Sequence, residues 1–345
     1  MTENIYKNDL KGFLPSPGRN VKTIAVFVEK KPFFGAIVVH IPFLHALRGT
    51  YPGAKIVVLS PAASMELLVK AGAADEFVLY DWNFSGVRRT VRRIAPELVF
   101  VLRPASRWLD IAVASCRVPD SVSFHSWLGR LLYSRAVPEE SGIYRARKYL
   151  TLIMEKEAAR TIPLDGWFCA AAKRAELSTA SLGRTLAVLP CGGAGEFKRW
   201  GEERYLELCG KLAARDPGLN FAWILGPQEA GLAGKISSSG IASKSRILSS
   251  ADMPDLSAAA FASAGCVGND CGPAHIFQMC GCPFTCVMSD YDGRGARRAD
   301  EWIDAPNRPF TVFSRTGEQI SSVKVETVLD AVLKMPAGSE KQRGM

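Results

Sequence analysis

The chain lacks the marks of a secreted or membrane-spanning protein. Its first twenty residues, Met1 to Asn20, are polar and carry no apolar signal-peptide core. Its nine cysteines are odd in number and show no extracellular disulfide framework, so a reducing cytoplasm is the expected setting. The charge-free run from Cys271 to Ser289 approaches a membrane span in length, but Gly281-Cys282-Pro283 breaks it, which predicts helix, turn and buried strand instead. Metal-ligand spacing is missing as well. Five cysteines fall between Cys266 and Cys286, yet Cys280 and Cys282 are one residue apart and no second pair is properly spaced. They are expected to be small buried hydrophobes, and no metal is expected. No nucleic-acid-binding motif accompanies the positive charge, and nucleic acid is not expected as a partner.

What is present is globular. The 345 residues are 48% hydrophobic and 22% charged, enough chain for two cores. A net charge of +9 by itself favours an anionic partner, whether a phosphorylated substrate, nucleic acid or an acidic membrane surface.

Short β-branched runs alternate with helical patterns along the whole chain. In the first half, strands are expected at Ile24–Val28, Lys55–Leu59, Phe77–Tyr80, Leu98–Leu102 and Ser121–Phe124. One helix is expected through Ala36, Val39, Phe43 and Leu47, another opening at Ser60-Pro61, and a basic one with Arg88, Arg89, Arg92 and Arg93. Residues Leu128 to Arg160 read as helical and basic, and Ile162-Pro163-Leu164 as a linker. The alternation then restarts, with strands at Leu186–Leu189, Phe221–Leu225, Arg246–Leu248, Ala264–Val267 and Phe284–Met288. Helices are expected at Glu202–Arg215, Glu229–Ile236 and Met253–Ala262. Strand–helix alternation specifies α/β with parallel sheets, here two Rossmann-like domains whose ligands bind beyond the carboxyl ends of the strands. The expected division is an N-terminal extension over 1–20, domains over 21–165 and 166–335, and a disordered tail over 336–345.

The stretch Gly268-Asn269-Asp270-Cys271-Gly272-Pro273-Ala274-His275 is a strand-to-helix turn. Asn269 or Asp270 is the expected N-cap, and Pro273 suits the first helical turn. A helix N-terminus presents free N–H groups, which makes this turn a candidate phosphate site.

This turn, continued to Gly281-Cys282-Pro283, is one of three motifs that together resemble glycosyltransferase family 9, the ADP-heptose:lipopolysaccharide heptosyltransferases. The others are Leu189-Pro190-Cys191-Gly192-Gly193-Ala194 with Lys198-Arg199-Trp200, and Ile224-Leu225-Gly226-Pro227-Gln228-Glu229. Ile41 to Leu47 and Tyr51 to Ile56 are similar to the family's first helix and second strand. The resemblance implies a GT-B fold, two Rossmann-like domains facing a central cleft. The donor, a nucleotide-diphosphate sugar linked to ADP, would bind the C-terminal domain; a lipopolysaccharide-core or lipid-linked glycan acceptor would bind the N-terminal one. It also implies inverting transfer that needs neither metal nor cofactor.

Carried over by motif, the donor residues are Gly192, Gly193, Lys198, Glu229, Asp270, Gly272 and His275. Lys198 would neutralise the leaving diphosphate. Glu229 would accept from ribose hydroxyls, although a glutamate at a helix start also complements the dipole. Arg103 and Arg107 follow the fourth strand and are candidates for holding an acidic acceptor. The four arginines at helical spacing suit an ordinary solvated face or contact with anionic headgroups on the inner face of a bacterial inner membrane.

One position departs from the pattern. The family's general base is the Asp of a Gly-Asp pair, and those positions are Gly35 and Ala36 here. Alanine cannot take a proton. His40, one helical turn on, and Glu29, at the end of the first strand, are the candidate replacement bases. The alternatives are a catalytically impaired nucleotide-sugar-binding protein and, third, a nucleotide-sugar epimerase on the same fold.

Overall fold

In a computed structural model, residues 21–102, 106–124, 128–177, 184–192 and 195–336 are described. The expected N-terminal extension and most of the expected tail lie outside them. The chain divides into two compact units at Ile162 and Pro163.

The first unit is a six-stranded sheet in the order β3-β2-β1-β4-β5-β6, parallel throughout. The strands are β1 (Thr23–Phe27), β2 (Lys55–Ser60), β3 (Glu76–Leu79), β4 (Leu98–Val101), β5 (Asp120–Phe124) and β6 (Arg135–Val137). In the central strands Ala25 pairs with both Val57 and Val99, and β4 is buried along its whole length. A strand covered on both faces needs a continuous apolar run, and the central strands β1, β2 and β4 show one. The helices are α1 (Phe34–Val38), α2 (Ile41–Thr50), α3 (Leu67–Lys70), α4 (Phe84–Ile94), α5 (Arg107–Ala114), α6 (Gly129–Leu132), α7 (Arg145–Leu150) and α8 (Lys156–Thr161).

Three local expectations are corrected here. The single helix through Ala36 and Leu47 is two, α1 and α2, jointed at Val39 and His40. Pro42 supplies the reason, because it cannot donate to the preceding turn and instead takes the second position of a new helix. Ser60 does not open a helix. It ends β2, and its hydroxyl donates to the Glu29 carbonyl (2.9 Å) while accepting from the Ala62 N–H (3.1 Å), so helical structure starts only at Ala63. Within the basic segment, β6 is a strand that periodicity did not announce.

The second unit repeats the plan with the order β12-β11-β10-β7-β8-β9, again parallel. Its strands are β7 (Thr185–Leu189), β8 (Asn220–Leu225), β9 (Ser245–Ser249), β10 (Gly265–Asn269), β11 (Phe284–Met288) and β12 (Val312–Phe313). Its helices are α9 (Gly166–Ala172), α10 (Glu202–Arg215), α11 (Leu232–Ser237), α12 (Met253–Ala262), α13 (Gly272–Met279), α14 (Gly295–Trp302) and α15 (Val325–Lys334). Trp200, Tyr205, Phe221 and Trp223 fill its core. The five cysteines from Cys266 to Cys286 are free and buried, and burial pushes the thiols of Cys266, Cys271, Cys280 and Cys286 well above their usual range. Among the described residues, no helix is long and apolar enough to cross a membrane.

Candidate active site

The site in the second unit forms where β7 and β10 end side by side. Gly268 pairs with Leu189, and a Cβ on Gly268 would stand 2.5 Å from both the Leu189 Cβ and its carbonyl oxygen. The two strands approach this closely because position 268 has no side chain. Asn269, the last residue of β10, is fully buried and ties the two ends together. Its Nδ2 donates to the carbonyls of Pro190 (2.8 Å) and Cys191 (3.2 Å), while its Oδ1 accepts from the Tyr205 hydroxyl (2.9 Å) and the Trp200 N–H (3.3 Å). The expected N-cap is corrected accordingly: α13 is capped by neither Asn269 nor Asp270. Cys271 holds the cap position without a side-chain bond, since the Asn269 amide is committed to the core.

With its cap unfilled, α13 begins at Gly272 with Pro273 in its first turn. Asp270 stands just before it. Across the strand ends a 3-10 turn, Glu196–Lys198, brings Lys198 to Asp270, with Nζ 2.6 Å from Oδ2. Gly192 makes room for this turn, as a Cβ there would meet Arg199 Cγ at 2.7 Å. His275, buried in α13, has Nε2 3.7 Å from the other Asp270 oxygen and its ring against Trp302. Lys198, read from one motif, therefore meets Asp270, Gly272 and His275, read from another, at one helix start.

A cavity of about 400 Å³ opens beside them, large enough for a nucleotide-sized ligand. Lys198 and Asp270 line it together with Ser289, Tyr291, Arg298 and Gln319. Arg298 is held by Asp292 (2.7 and 2.9 Å) and by the Ser289 carbonyl. Tyr291, Arg298 and Gln319 were not found from the sequence, because no motif was read beyond Asp290.

Glu229 belongs to an adjoining network outside the cavity wall. It is buried, its Oε2 accepts from the Gly226 N–H (3.2 Å), and its Oε1 is 3.4 Å from Arg199 Nη2. A Cβ on Gly226 would crowd Oε2 at 2.9 Å, so a side chain there would displace the Glu229 carboxylate. Cys191, against the same carboxylate, has its thiol pushed up to about 12 by burial and then by the Glu229 charge. Gly193 and Arg103 lie outside the described residues. Arg107 starts α5 and is exposed.

In the first unit the structure brings together the two candidate bases. Glu29 follows β1 and pairs with Arg145 of α7, and its Oε1 accepts from the Tyr149 hydroxyl at 3.1 Å. The ring of Tyr149 stacks on His40, with centroids 4.8 Å apart and planes 13° apart. His40 is fully buried; its Nδ1 lies 3.2 Å from the Ile37 carbonyl. Burial lowers its pKa to about 4, so the ring is neutral at pH 7. Ala36 is buried in α1, whose first turn carries no acidic residue.

The profile of glycosyltransferase family 9 (heptosyltransferase) matches residues 123–284, a span holding Lys198, Glu229, Asp270 and His275. The chain resembles glycosyltransferase family 9. A family 9 glycosyl transferase from Veillonella parvula aligns with a TM-score of 0.61 at 16% identity, covering 90% of this chain and 96% of the other. An E. coli heptosyltransferase solved with ADP aligns at 0.62 and 16% identity, covering 90% and 97%. A UDP-GlcNAc 2-epimerase from Neisseria meningitidis, bound to UDP-GlcNAc, gives 0.53 at 11% identity, covering 91% and 90%. At these identities the structures establish the fold: the two units are Rossmann-like and of the GT-B type. A comparison with curated protein sequences finds no match.

Proposed function

We propose that the protein transfers a heptose-like sugar from an ADP-linked donor to a lipopolysaccharide-core or related glycan acceptor, inverting the anomeric centre without a metal. The observation that carries this reading is the Lys198–Asp270 pair at the start of α13, on the wall of a cavity of about 400 Å³. An ammonium group and unfilled helix N–H groups together suit a diphosphate. The acceptor hydroxyl attacks the anomeric carbon, the carbon–oxygen bond to the diphosphate breaks, and ADP leaves with the electron pair. Lys198 offsets the charge that develops on it. The acceptor proton goes to a base, for which Glu29 is the preferred candidate of the two. His40 is closed over by Tyr149, and a ring of such low basicity is a weak proton acceptor.

The test is to incubate the protein with ADP-heptose and a heptose-free lipopolysaccharide core, reading ADP release and an acceptor mass gain of one heptose. No ADP binding by calorimetry would remove the donor site, and with it this reading. A second reading, a nucleotide-sugar binder without turnover, is favoured by one observation: α1 has no carboxylate in its first turn, with Ala36 at the position of the family's base. Tight ADP binding without acceptor mass gain is its signature.

A further inference from the structure

The start of α13, at the end of β10, has different surroundings on its two sides. The sheet order puts β7 and β8 to one side of β10 and β11 to the other. On the β8 side stands the buried carboxylate of Glu229, in the 3-10 turn that follows that strand. On the β11 side is the cavity of about 400 Å³. From Lys198 and Asp270 its wall continues past the end of β11, through the loop carrying Tyr291 and Asp292, to Arg298 of α14 and to Gln319. A diphosphate held by Lys198 leaves most of that wall untouched.

Two aromatic rings line the cavity and are left uncovered by the fold: Phe197 is 56% exposed and Tyr291 59%. Both are carried on anchored backbone. Phe197 adjoins Lys198 in a 3-10 turn, where the Lys198 N–H donates to the Gly195 carbonyl at 3.0 Å. The Tyr291 N–H donates to the Ser289 hydroxyl (3.3 Å), and its carbonyl accepts from the Gly317 N–H (3.0 Å). The neighbouring Asp290 carboxylate accepts from the Gly295 N–H and the Thr316 hydroxyl, which ties this loop to the start of α14. An apolar ring held out of the core forgoes burial that a ligand can restore. The polar groups on the same wall are planar. The Arg298 guanidinium meets both Asp292 oxygens, at 2.7 and 2.9 Å, and Gln319 precedes the turn Ile320–Ser322 without making a side-chain cap bond to it. Among the described residues, the charges of the wall balance: Lys198 and Arg298 stand against Asp270 and Asp292, each cation on its own carboxylate.

We infer that this cavity is the subsite for the transferred sugar, that it takes an uncharged sugar, and that Phe197 and Tyr291 are the residues that select it. The inference rests on the donor reading given above, which places a diphosphate at Lys198. Aromatic faces suit the C–H faces of a sugar ring, because the negative π surface attracts the polarised C–H bonds. A carboxylate, a guanidinium and an amide supply paired donors and acceptors for neighbouring hydroxyls. Since the cations of the wall are already matched by carboxylates, a second phosphate or a sugar acid finds no surplus positive charge there, whereas a neutral polyol needs none. The nucleoside then runs the other way, towards Glu229.

Calorimetry of the full chain with ADP and with ADP-heptose, without acceptor, tests this. The wild type should bind ADP-heptose about tenfold more tightly than ADP. F197A/Y291A should bring the two ligands to equal affinity by weakening ADP-heptose alone. Y291F, which keeps the ring, should retain the preference. All three side chains changed are exposed, and unaltered circular dichroism confirms that the variants fold. Inorganic phosphate should not bind the ADP-loaded protein. Three results would overturn the inference while leaving the diphosphate at Lys198: equal wild-type affinity for the two ligands, a preference that survives F197A/Y291A, or phosphate binding beside ADP, which would make the cavity an anion site. Equal weakening of ADP and ADP-heptose by F197A/Y291A would place the adenine ring in the cavity and overturn it as well. Failure of the donor reading itself looks different, because the wild type would then bind no ADP at all.

Discussion

Lys198 Nζ stands 2.6 Å from Asp270 Oδ2, joining residues 72 positions apart at the open start of α13. The ammonium is partly exposed and the carboxylate less so, and both line the cavity. Removing the lysine should cost a charge-assisted contact to the diphosphate. Lys198→Ala is expected to weaken ADP binding by roughly 10- to 100-fold, the range for a hydrogen bond to a charged group. Calorimetry at two salt concentrations checks it, because the variant should also show a shallower salt dependence. Unchanged affinity would move the donor site elsewhere.

Asn269 is the second point of leverage, and it concerns stability rather than binding. Its amide satisfies two carbonyls and receives two donors in a fully buried setting. Asn269→Ala leaves those groups without partners, which should cost about 3 kcal/mol. The loss should appear as faster amide hydrogen exchange across 185–189 and 265–269, with exchange in the first unit unaffected.

His40 predicts a pH effect with a definite sign. Its pKa is about 4 in the fold against an ordinary 6.5, because burial penalises the charged ring. Above pH 6.5 both folded and unfolded forms are neutral and the fold keeps its full stability. As pH falls from 6.5 to about 4 the unfolded chain takes up the proton first, so the first unit loses stability on the order of 3 kcal/mol. His40→Phe keeps an aromatic ring against Tyr149 and should flatten this dependence in urea unfolding at pH 7 and pH 4.5. A variant with the same acid sensitivity as the wild type would show that another group is responsible.

How much of this was legible in the sequence depended on signal type. Helices at Glu202–Arg215 and Met253–Ala262 and the strand at Phe284–Met288 agree with the expected bounds. Each is a clean apolar pattern closed by a turn signal. The three residues of β6, Arg135-Ala136-Val137, carry no such pattern and form a strand only because β5 offers an open edge. Lys198 and Asp270 were named together only because their motifs resemble those of one family; their contact across 72 positions is not readable from spacing. Asn269 looked like a cap because caps are read locally, whereas its partners Pro190, Trp200 and Tyr205 are 64 or more residues away. The Glu29–Arg145–Tyr149–His40 cluster is long-range in the same sense. Its two candidate bases were named, but nothing local tied either to α7.

That cluster carries the last prediction, which separates chemistry from binding. Glu29 has its Oε1 fixed by Arg145 and Tyr149 and its Oε2 4.0 Å from Lys31, at the carboxyl end of β1. Glu29→Gln keeps the size of the side chain and an oxygen for Tyr149, but it cannot accept a proton. If Glu29 is the base, sugar transfer should fall by about 10²- to 10⁴-fold, with ADP affinity unchanged because the proposed diphosphate site belongs to the other unit. Tyr149→Phe removes one hydrogen bond to the same oxygen and should cost far less. Since Gln removes the carboxylate charge facing Arg145, thermal unfolding must accompany the kinetics; an unfolded first unit would mimic a lost base. Intact folding with undiminished transfer by Glu29→Gln would return the assignment to His40, where His40→Phe should then abolish transfer.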